Sequence, residues 1–479
     1  MTLTADDVAA MAQQITVGGK DFATESSFDV INPATGRVFT QAPAVTPDQL
    51  DEIFTTARSA FGSWRRDDDK RRQVLSNIAD AIDNSADELA AILTAEQGKP
   101  LLDAHYELSY ATRWLRYYAD LEVKPQVIRD DAERFEEIIH KPLGVVSAIT
   151  PWNFPINLAM WKVAPALRAG NTVVLKPSPY TPLATLALGR ILRGVVPDGV
   201  LNIIAGPEPL GAAMVAHPIP RKVSFTGSTA VGRKVAVSAA DDLKRVTLEL
   251  GGNDPAILLD DVDVAAVAQS LFLGAFLNNG QVCGAVKRVY AHEAIKNDLV
   301  EALSEIARSV RVDDGFVDGA QFGPVNNEAQ FNLVSSLVDD ANRNGARITA
   351  GGHPLDRDGY FFPPTIIDNV NGDFRVVREE QFGPVLPIVS FTTEDDAVSQ
   401  ANDSKYALTA SVWSSDPTRA SKLAAEVDAG QVSINIHGGA TEPHLPFGGQ
   451  KWSGIGVENG PWGLESFTEM QVIAGPGRV

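Results

Sequence analysis

The chain has 479 residues, of which 44% are hydrophobic and 21% are charged. This length predicts about three domain-sized units, and the composition excludes a disordered, collagen-like or disulfide-scaffold protein. The 61 acidic residues outnumber the 41 basic ones, and the formal net charge is −20. That charge argues against generic binding of nucleic acid or of an anionic membrane surface, because the long-range field repels polyanions.

Cys283 is the only cysteine, so the chain has no internal disulfide and no multi-cysteine metal site. Neither CxxC nor HExxH occurs, and we expect no metal cofactor. The first residues lack the pattern of a secretory signal. Apolar stretches such as 270–277 are far shorter than the roughly 20 residues of a membrane span. We therefore expect a cytoplasmic protein that makes no membrane contact.

The first third of the chain reads as mostly helical after a short extended start. Thr-Pro-Asp at 46–48 predicts a helix start, and the helix should continue to about Phe61. Another helix covers roughly 102–121. Its aromatic residues recur every fourth position, which predicts core packing rather than cofactor contacts for Tyr106, Tyr110 and Trp114.

From residue 140 onward, short β-branched runs alternate with helical stretches, which predicts a doubly wound parallel sheet. The predicted strands are 144–149, 172–175, 200–204, 222–225 and 245–248. The predicted helices are 156–169, 182–195, 209–217 and 230–239. A second alternating series runs from Pro255 past residue 430. The fold class is therefore α/β, with two domains and a cleft between them.

The segment after the fourth strand, FTGSTAVG at 225–232, places glycines at a strand-to-helix turn. Backbone N–H groups and a helix N-terminus at such a turn favour a phosphate group. The segment lacks the lysine and hydroxyl positions of a P-loop, so nucleotide hydrolysis is disfavoured. Taken alone, the motif fits a tight turn equally well.

Two further strands end in charged residues. Lys176 ends the strand 172–175, at the edge where open α/β sheets bind ligands, although a surface lysine is the simpler interpretation. Glu249 follows the strand 245–248 and precedes two glycines, so it is a candidate general base; most glutamates, however, are merely solvated.

Cys283 lies in the polar turn NGQVCG after a helix over 262–277. A lone cysteine is usually a small buried hydrophobe, but near a helix terminus its pKa could fall and its thiolate become nucleophilic. Asn153, in TPWNFP, carries an amide donor that could stabilise an oxyanion or simply cap a loop.

In chain order, the motifs TPWNFP, KPS, FTGS, ELGG, GQVC, EEQFGPV and PFGGQKWSG resemble those of the NAD(P)-dependent aldehyde dehydrogenase superfamily. The resemblance runs from NPATG at 32–36 to Phe467-Thr-Glu. It implies a Rossmann-like cofactor domain (1–122 and 141–251), an α/β catalytic domain (252–450) and a small β-rich oligomerisation element (123–140 and 463–479). It also implies a homodimer or homotetramer.

The resemblance assigns catalytic roles to Cys283 as nucleophile, Glu249 as general base and Asn153 as oxyanion donor. Glu458 matches a secondary acid on the proton exit path. The implied cofactor contacts are Lys176, Gly227, Ser228, Gly232, Trp152, Gln330, Glu380 and Phe382. The implied substrate tunnel is lined by Phe154, Leu158, Trp161, Phe276, Leu277 and Phe447, with His437 and His444 in the loop before PFGG.

The implied reaction oxidises an aldehyde to the acid through a thiohemiacetal and a thioester on Cys283. Many NAD-preferring members carry a glutamate after KPS; this chain has Pro179, so we expect NAD with NADP tolerated. No arginine near Cys283 is an evident partner for a substrate carboxylate, because Arg288 should lie on the next strand. We therefore expect uncharged aliphatic or aromatic aldehydes rather than semialdehydes.

Four alternatives stay open at this point. A semialdehyde-specific member of the same superfamily would pair a substrate carboxylate with a cationic side chain. A CoA-acylating enzyme would use Cys283 without needing Glu249. A cysteine hydrolase would need a histidine beside the thiol. A non-catalytic protein of this fold would keep its function without the thiol.

Overall fold

The computed structural model describes residues 3–477. Its α-helices are Ala5–Ala9 (α1), Leu50–Trp64 (α2), Asp68–Asn84 (α3), Ala86–Gln97 (α4), Leu101–Asp120 (α5), Pro155–Ala169 (α6), Leu183–Ile191 (α7), Leu210–Ala216 (α8), Thr229–Ala240 (α9), Val264–Phe276 (α10), Glu293–Ser309 (α11), Glu328–Arg343 (α12), Arg375–Arg378 (α13), Glu394–Asn402 (α14), Pro417–Ala424 (α15) and Gly460–Glu465 (α16). Short 3₁₀ turns cover Pro47–Gln49 and Leu277–Gly280.

The strands are Ile15–Val17 (β1), Lys20–Phe22 (β2), Ser26–Asn32 (β3), Arg37–Ala44 (β4), Gln126–Asp130 (β5), Arg134–Pro142 (β6), Val145–Ile149 (β7), Thr172–Lys176 (β8), Leu201–Ile203 (β9), Lys222–Thr226 (β10), Arg245–Glu249 (β11), Asp254–Leu258 (β12), Val286–His292 (β13), Arg347–Ala350 (β14), Thr365–Asp368 (β15), Val385–Phe391 (β16), Tyr406–Ala407 (β17), Thr409–Trp413 (β18), Gln431–Ile434 (β19), Gln450–Lys451 (β20), Gly454–Ile455 (β21) and Thr468–Pro476 (β22).

The first large sheet has eight strands in the order β2-β1-β9-β8-β7-β10-β11-β21. Its five central strands, β9 to β11, run parallel, and the outer strands pair antiparallel. The chain order reverses between β7 and β10. The crevice beyond the carboxyl ends of parallel strands at such a reversal is where open α/β sheets bind ligands.

The second large sheet has seven strands in the order β14-β15-β16-β13-β12-β18-β19. All neighbours in it are parallel except β14 and β15. The turn before β13 carries Cys283, and the segment between β11 and β12 leads from the first sheet into the second. The proposed catalytic residues therefore lie where the two sheets meet.

A third sheet is antiparallel and has the order β22-β6-β5. Strands β22 and β6 pair over nine residues, from Thr468 opposite Pro142 to Pro476 opposite Arg134. The segment predicted for oligomerisation thus forms β structure together with the C-terminal tail. Among residues 3–477, no helix is both long enough and apolar enough to cross a bilayer.

The five strands predicted after residue 140 correspond to β7 to β11, with ends shifted by one or two residues. Local patterning suffices here because each strand is a short β-branched run between turn residues. Helix α6 shows the same agreement: Pro155 is its first residue, where its missing N–H costs nothing, and Gly170 ends it at φ +98°.

The core prediction for the α5 aromatics is correct for Trp114 and wrong for the other two. Trp114 is fully buried, whereas Tyr106 is 57% exposed and Tyr110 is 44% exposed. Residues four apart lie on the same side of a helix, but each step of four residues turns the side chain a little further around the helix axis. Trp114 therefore faces the core, whereas Tyr106 and Tyr110 turn towards solvent. Tyr110 still contacts Trp114, with ring centroids 6.1 Å apart.

Candidate active site

Two glycines bring the end of β11 against the Cys283 turn. A Cβ atom on Gly252 would lie 2.7 Å from the Cys283 carbonyl oxygen, and one on Gly251 would lie 2.2 Å from Glu380 Oε2. Any larger residue would collide at both positions, so the ELGG sequence is needed for the close approach. The Gly252 N–H donates to Glu380 Oε1 at 2.9 Å.

The backbone is strained in the three residues 278–280, which precede Cys283 in the same turn. Asn278 and Asn279 both adopt left-handed φ values, +51° and +57°, and Gly280 follows at +73°. A Cβ on Gly280 would lie 2.3 Å from the Gly383 carbonyl oxygen, so this turn also packs on the EEQFGPV loop. Left-handed backbone at non-glycine residues is concentrated at functional sites.

The Cys283 thiol is half-buried, and its surroundings raise its pKa to about 12. Burial is the main cause, the charge on Glu249 adds to it, and Lys287 opposes it. The expectation that this pKa falls is therefore wrong. Within residues 3–477, the backbone N–H of Cys283 has no hydrogen-bond acceptor.

Glu249 is the last residue of β11 and is only 2% exposed. Neither carboxylate oxygen makes a hydrogen bond in the described chain, and the Gly449 N–H faces it outside ordinary hydrogen-bond geometry. Burial raises the pKa of Glu249 well above its usual value, and the charge on Glu458 raises it further. Lys162 partly offsets both.

Glu458 and Lys162 form a fully buried ion pair with Nζ and Oε1 2.6 Å apart. The ammonium also donates to Thr226 Oγ1 at 2.7 Å, and the Ser224 hydroxyl donates to Glu458 Oε1 at 3.3 Å. A buried pair of this kind is stable only when further hydrogen bonds satisfy both ions. It connects the C-terminal segment to the carboxyl end of β10.

Asn153 lies in the loop after β7 and is 2% exposed. Its Nδ2 donates to the Gln281 carbonyl oxygen at 2.9 Å, two residues before Cys283. One of its two amide hydrogens therefore fixes the loop, and the second remains available. The backbone carbonyl oxygen of Asn153 accepts from Lys99 Nζ at 2.9 Å, and the Lys99 ammonium is paired with Glu107.

Lys176 is 3% exposed at the end of β8, and its ammonium donates only to the neighbouring Pro177 carbonyl, at 3.3 Å. Burial lowers the pKa of Lys176 to about 8, and the charge on Glu208 opposes that shift. Glu208 is exposed and was not identified from the sequence. A buried ammonium with so few acceptors fits the hydroxyl groups of a nucleotide ribose.

The turn after β10 presents Gly227 and Ser228 at the start of α9. Ser228 is exposed and caps the helix, its Oγ accepting from the Val231 N–H at 3.4 Å. The helix N-terminus thus faces solvent at the sheet reversal, as a pyrophosphate site requires. Gly232 differs from the prediction: a Cβ there would lie 2.3 Å from Leu250 Cδ2, so it packs α9 against β11 rather than facing a ligand.

The remaining predicted cofactor residues come together near the EEQFGPV loop. The rings of Trp152 and Phe382 meet edge to face at 5.2 Å. Gln330 Nε2 donates to the Gln381 carbonyl at 2.6 Å, so this side chain holds the loop. Burial raises the pKa of Glu380 to about 7.

Four of the predicted substrate residues belong to the same apolar cluster, and Cys283 packs against it. Leu158, Trp161 and Phe447 are buried members, and Phe154 is partly buried beside them. Trp161 stacks on Trp114 at 5.2 Å and meets Phe447 edge to face at 5.2 Å.

Three other predicted substrate residues, Phe276, Leu277 and His437, lie outside this apolar cluster. Phe276 is fully buried in the core of the second sheet, 4.6 Å from Phe272, because it lies on the inner side of α10. His437 is hydrogen-bonded beneath the Cys283 turn, with Nε2 2.9 Å from the Gly284 carbonyl oxygen. Leu277 is 49% exposed. His444 is exposed, with no described side-chain partner.

A parallel sheet with an exposed helix N-terminus at its reversal, joined to a second sheet that carries a half-buried thiol, is an arrangement that suits an NAD(P)-dependent dehydrogenase. The aldehyde dehydrogenase family model matches residues 21–473, and the chain belongs to that family. It is 35% identical to the succinate-semialdehyde dehydrogenase [NADP(+)] GabD of Escherichia coli, covering 98% of both chains. It is 38% identical to retinal dehydrogenase 2 of Gallus gallus, covering 93% of this chain and 88% of that one.

The NAD⁺ complex of aldehyde dehydrogenase from Bacillus cereus has the same fold, with a TM-score of 0.95 at 33% identity. The match covers 98% of this chain and 97% of that one. The protein is an aldehyde dehydrogenase that uses NAD(P), as the motifs predicted.

Proposed function

We propose that Cys283 is the nucleophile of aldehyde oxidation. The observation that carries this proposal is the pairing of a half-buried thiol with a free backbone N–H and a buried carboxylate without partners, Glu249. Attack of the sulfur on the aldehyde carbon places negative charge on the carbonyl oxygen. The Cys283 N–H and the unused amide hydrogen of Asn153 stabilise that charge; losing one such donor typically costs about 10²–10³ in rate.

Glu249 serves as the general base. Because the pKa of the thiol is raised, the resting enzyme holds Cys283 protonated, and the attack needs an acceptor for its proton. The raised pKa of Glu249 makes this carboxylate a stronger base than an exposed glutamate. Glu249 must then release the thiol proton to solvent, and after the thioester has formed the same carboxylate takes a proton from the water that hydrolyses it.

The residues at the sheet reversal fit a nicotinamide dinucleotide. Lys176 would hold a ribose, the N–H groups at the start of α9 the pyrophosphate, and Glu380 and Phe382 the nicotinamide side. When bound, the nicotinamide supplies the hydride acceptor. The chain's part is to orient it and to exclude water, which the edge-to-face pair of Trp152 and Phe382 does at this loop.

The cofactor preference is for NAD over NADP. Pro179 stands where many NAD-preferring relatives have a glutamate, but Glu208 supplies a carboxylate whose charge acts on Lys176 from another loop. A 2′-phosphate bound near Lys176 would be repelled by that charge. Glu208 is exposed, so the discrimination is modest and depends on salt.

The substrate is an uncharged aliphatic or aromatic aldehyde. Cys283 packs against the apolar core of the first domain, which includes Leu158, Trp161 and Phe447, and Phe154 is partly buried against the same core. Arg288 is 2% exposed and lies on β13, as expected. Its guanidinium group donates hydrogen bonds to the Asn253 carbonyl, the Tyr290 hydroxyl and the Ala401 carbonyl. It therefore cannot pair with the carboxylate of a semialdehyde.

The geometry also disfavours two of the alternatives. A cysteine hydrolase needs a histidine whose ring nitrogen faces the thiol, but both nitrogens of His437 are engaged, with Ser411 and with Gly284. A CoA-acylating enzyme has no need of a buried base, whereas Glu249 is held without partners.

The protein assembles as a homodimer or homotetramer through the predicted element 123–140 and 463–479, whose described part includes most of the third sheet; residues 478 and 479 lie outside the described residues. The outer strands of that sheet expose apolar side chains to solvent, which is the usual sign of an interface. The most exposed are Val127, Ile128, Met470 and Val472. Light scattering after gel filtration measures the mass, and a Met470→Glu variant should lower it.

The test of the main proposal is NADH formation over a panel of uncharged aldehydes and semialdehydes, with Cys283→Ala as the comparison. We expect activity with uncharged aldehydes and a loss of about 10⁴-fold or more in the variant. Retained NADH binding by fluorescence in Cys283→Ala shows that the cofactor site is intact. Activity within tenfold of the parent protein would overturn the assignment.

A further inference from the structure

The turn that carries Cys283 is held by side chains that bind its backbone carbonyl groups. Lys287 Nζ donates to the carbonyl oxygens of Val282 at 2.9 Å, Cys283 at 2.5 Å and Ala285 at 3.4 Å. An ammonium group has three hydrogens, so these contacts use all of them. Neither sequence motif nor resemblance identified Lys287.

The positive charge of Lys287 is buried and lacks an ion pair. The residue is 2% exposed, and no ion pair joins its Nζ to a carboxylate in the part of the chain that the structure describes. Its charge nonetheless acts on the groups around it and opposes the rise that burial causes in the pKa values of Cys283, Asp254 and Glu380. Lys287 is thus the cation that counteracts burial at the thiol.

The remaining carbonyl of the turn is held by His437. Its Nε2 lies 2.9 Å from the Gly284 carbonyl oxygen, and its Nδ1 lies 2.9 Å from Ser411 Oγ. A carbonyl oxygen can only accept, so Nε2 carries a hydrogen directed at the turn. Burial lowers the pKa of His437 to about 4, so the ring is neutral and Nδ1 accepts from the Ser411 hydroxyl.

In a trans peptide the N–H points opposite to the C=O. Holding the carbonyls of 282–285 on the side of Lys287 and His437 therefore directs N–H groups of the turn to the other side. The N–H groups of Cys283 and Gly284 have no acceptor within residues 3–477.

We propose that Lys287 and His437 are two positioning residues with different tasks beneath the nucleophile. Lys287 holds the Val282 carbonyl and thereby aims the Cys283 N–H of the same peptide at the substrate oxygen, whereas His437 holds the Gly284 carbonyl and fixes the peptide that follows the thiol. The positive charge of Lys287 also favours formation of the thiolate. The neutral His437 acts only by fixing the direction of the Gly284 carbonyl. The proposal rests on Cys283 being the nucleophile.

The single cysteine provides a readout that does not depend on aldehyde oxidation. The rate of alkylation by iodoacetamide, measured against pH, reports the thiolate fraction of Cys283. We expect Lys287→Met to lower that rate about tenfold at any pH below the thiol pKa, which corresponds to a rise of about one pKa unit. Lys287→Arg should restore at least half of it, and Lys20→Met, on the surface, should change nothing.

His437 separates the two tasks. His437→Leu should leave the alkylation rate within twofold and lower kcat about tenfold with little change in KM, since only the direction of the turn is lost. His437→Gln keeps a donor for the Gly284 carbonyl and should recover most of kcat.

Two outcomes would overturn the proposal: an unchanged alkylation rate in a folded Lys287→Met protein, or an equal fall in the rate in His437→Leu. If Lys287→Met does not fold by circular dichroism, Lys287→Gln, which keeps donors but no charge, carries the same expectation. Should Cys283→Ala retain aldehyde oxidation, the proposed function fails, but the alkylation measurement still decides the role of Lys287.

Discussion

The turn around Cys283 and the strand end at Glu249 meet in the same place but are held in opposite ways. The carbonyl groups of 281–285 are bound by side chains of Asn153, Lys287 and His437. The Glu249 carboxylate, by contrast, makes no hydrogen bond in the described chain. The nucleophile needs a fixed direction, whereas a base that serves two steps needs freedom to reach both the thiol and a water.

The largest effect on this comparison should come from removing the base itself. Glu249→Gln keeps the shape of the side chain but cannot take a proton, so kcat should fall by about 10²–10⁴. Both the attack and the hydrolysis should slow, because both use this base, and mass spectrometry of the quenched enzyme shows which of the two steps limits the variant. Glu465→Gln, an exposed glutamate of α16, is the matched control. A kcat close to that of the parent protein would contradict the proposed role.

The next largest effect should come from the close contact between Gly252, which follows β11, and the turn that carries Cys283. Gly252→Ala places a methyl group where the Cys283 carbonyl oxygen lies at 2.7 Å, so the turn must shift. We expect a loss of about 1–3 kcal/mol in the free energy of unfolding and roughly a hundredfold loss of kcat. Urea unfolding and steady-state kinetics measure the two.

The control for that substitution is Gly62→Ala, in the interior of α2. A Cβ there meets nothing within 4 Å. Alanine should stabilise that helix by about 0.5–1 kcal/mol and leave kcat alone. A Gly252→Ala protein that behaves like Gly62→Ala would mean that the two segments are not in tight contact.

A smaller effect tests why Glu249 is a strong base. The negative charge of Glu458 raises the pKa of Glu249. Glu458→Gln removes that charge, so the pKa of Glu249 should fall and the acid limb of the kcat–pH profile should move to lower pH by about one unit. An acid limb that stays in place or moves upward would show that another group titrates there.

The smallest effect concerns cofactor choice. Glu208→Gln removes the charge facing Lys176 and should raise the kcat/KM for NADP relative to NAD by about fivefold at low salt, and less at high salt. Binding of NADPH and NADH by fluorescence gives the same ratio without turnover. A variant whose ratio does not change would assign the discrimination to other residues.

The parallel strands and the three proposed catalytic residues could be predicted because their signals are local. A β-branched run between turn residues predicts a strand whatever lies around it. The resemblance assigned roles to Cys283, Glu249 and Asn153 through short motifs such as the glycines after Glu249, and those roles stay predictions. Those glycines are required by close approaches that the structure shows at Gly251 and Gly252.

What sequence could not predict depends on distant contacts. Glu208 acts on Lys176 from another loop, and His437 reaches Gly284 across the second sheet. Phe276 was expected in the tunnel, but the side of α10 that faces the core depends on tertiary packing. A lowered thiol pKa was expected from a nearby helix terminus, whereas burial raises that pKa, the charges on Glu249, Asp254 and Glu380 add to the rise, and Lys287 opposes it only in part.

The pairing of β21 with β11 has a consequence for the growing chain. Leu248 and Ile455 are neighbours in the first sheet, and Glu458 follows three residues later. A ribosome that has translated only as far as β19 has already made Cys283, Glu249 and Asn153, but not the strand that pairs with β11 or the anion that raises the pKa of Glu249. The surroundings of the proposed base are therefore completed only after the nucleophile, the base and the oxyanion donor have all been synthesised.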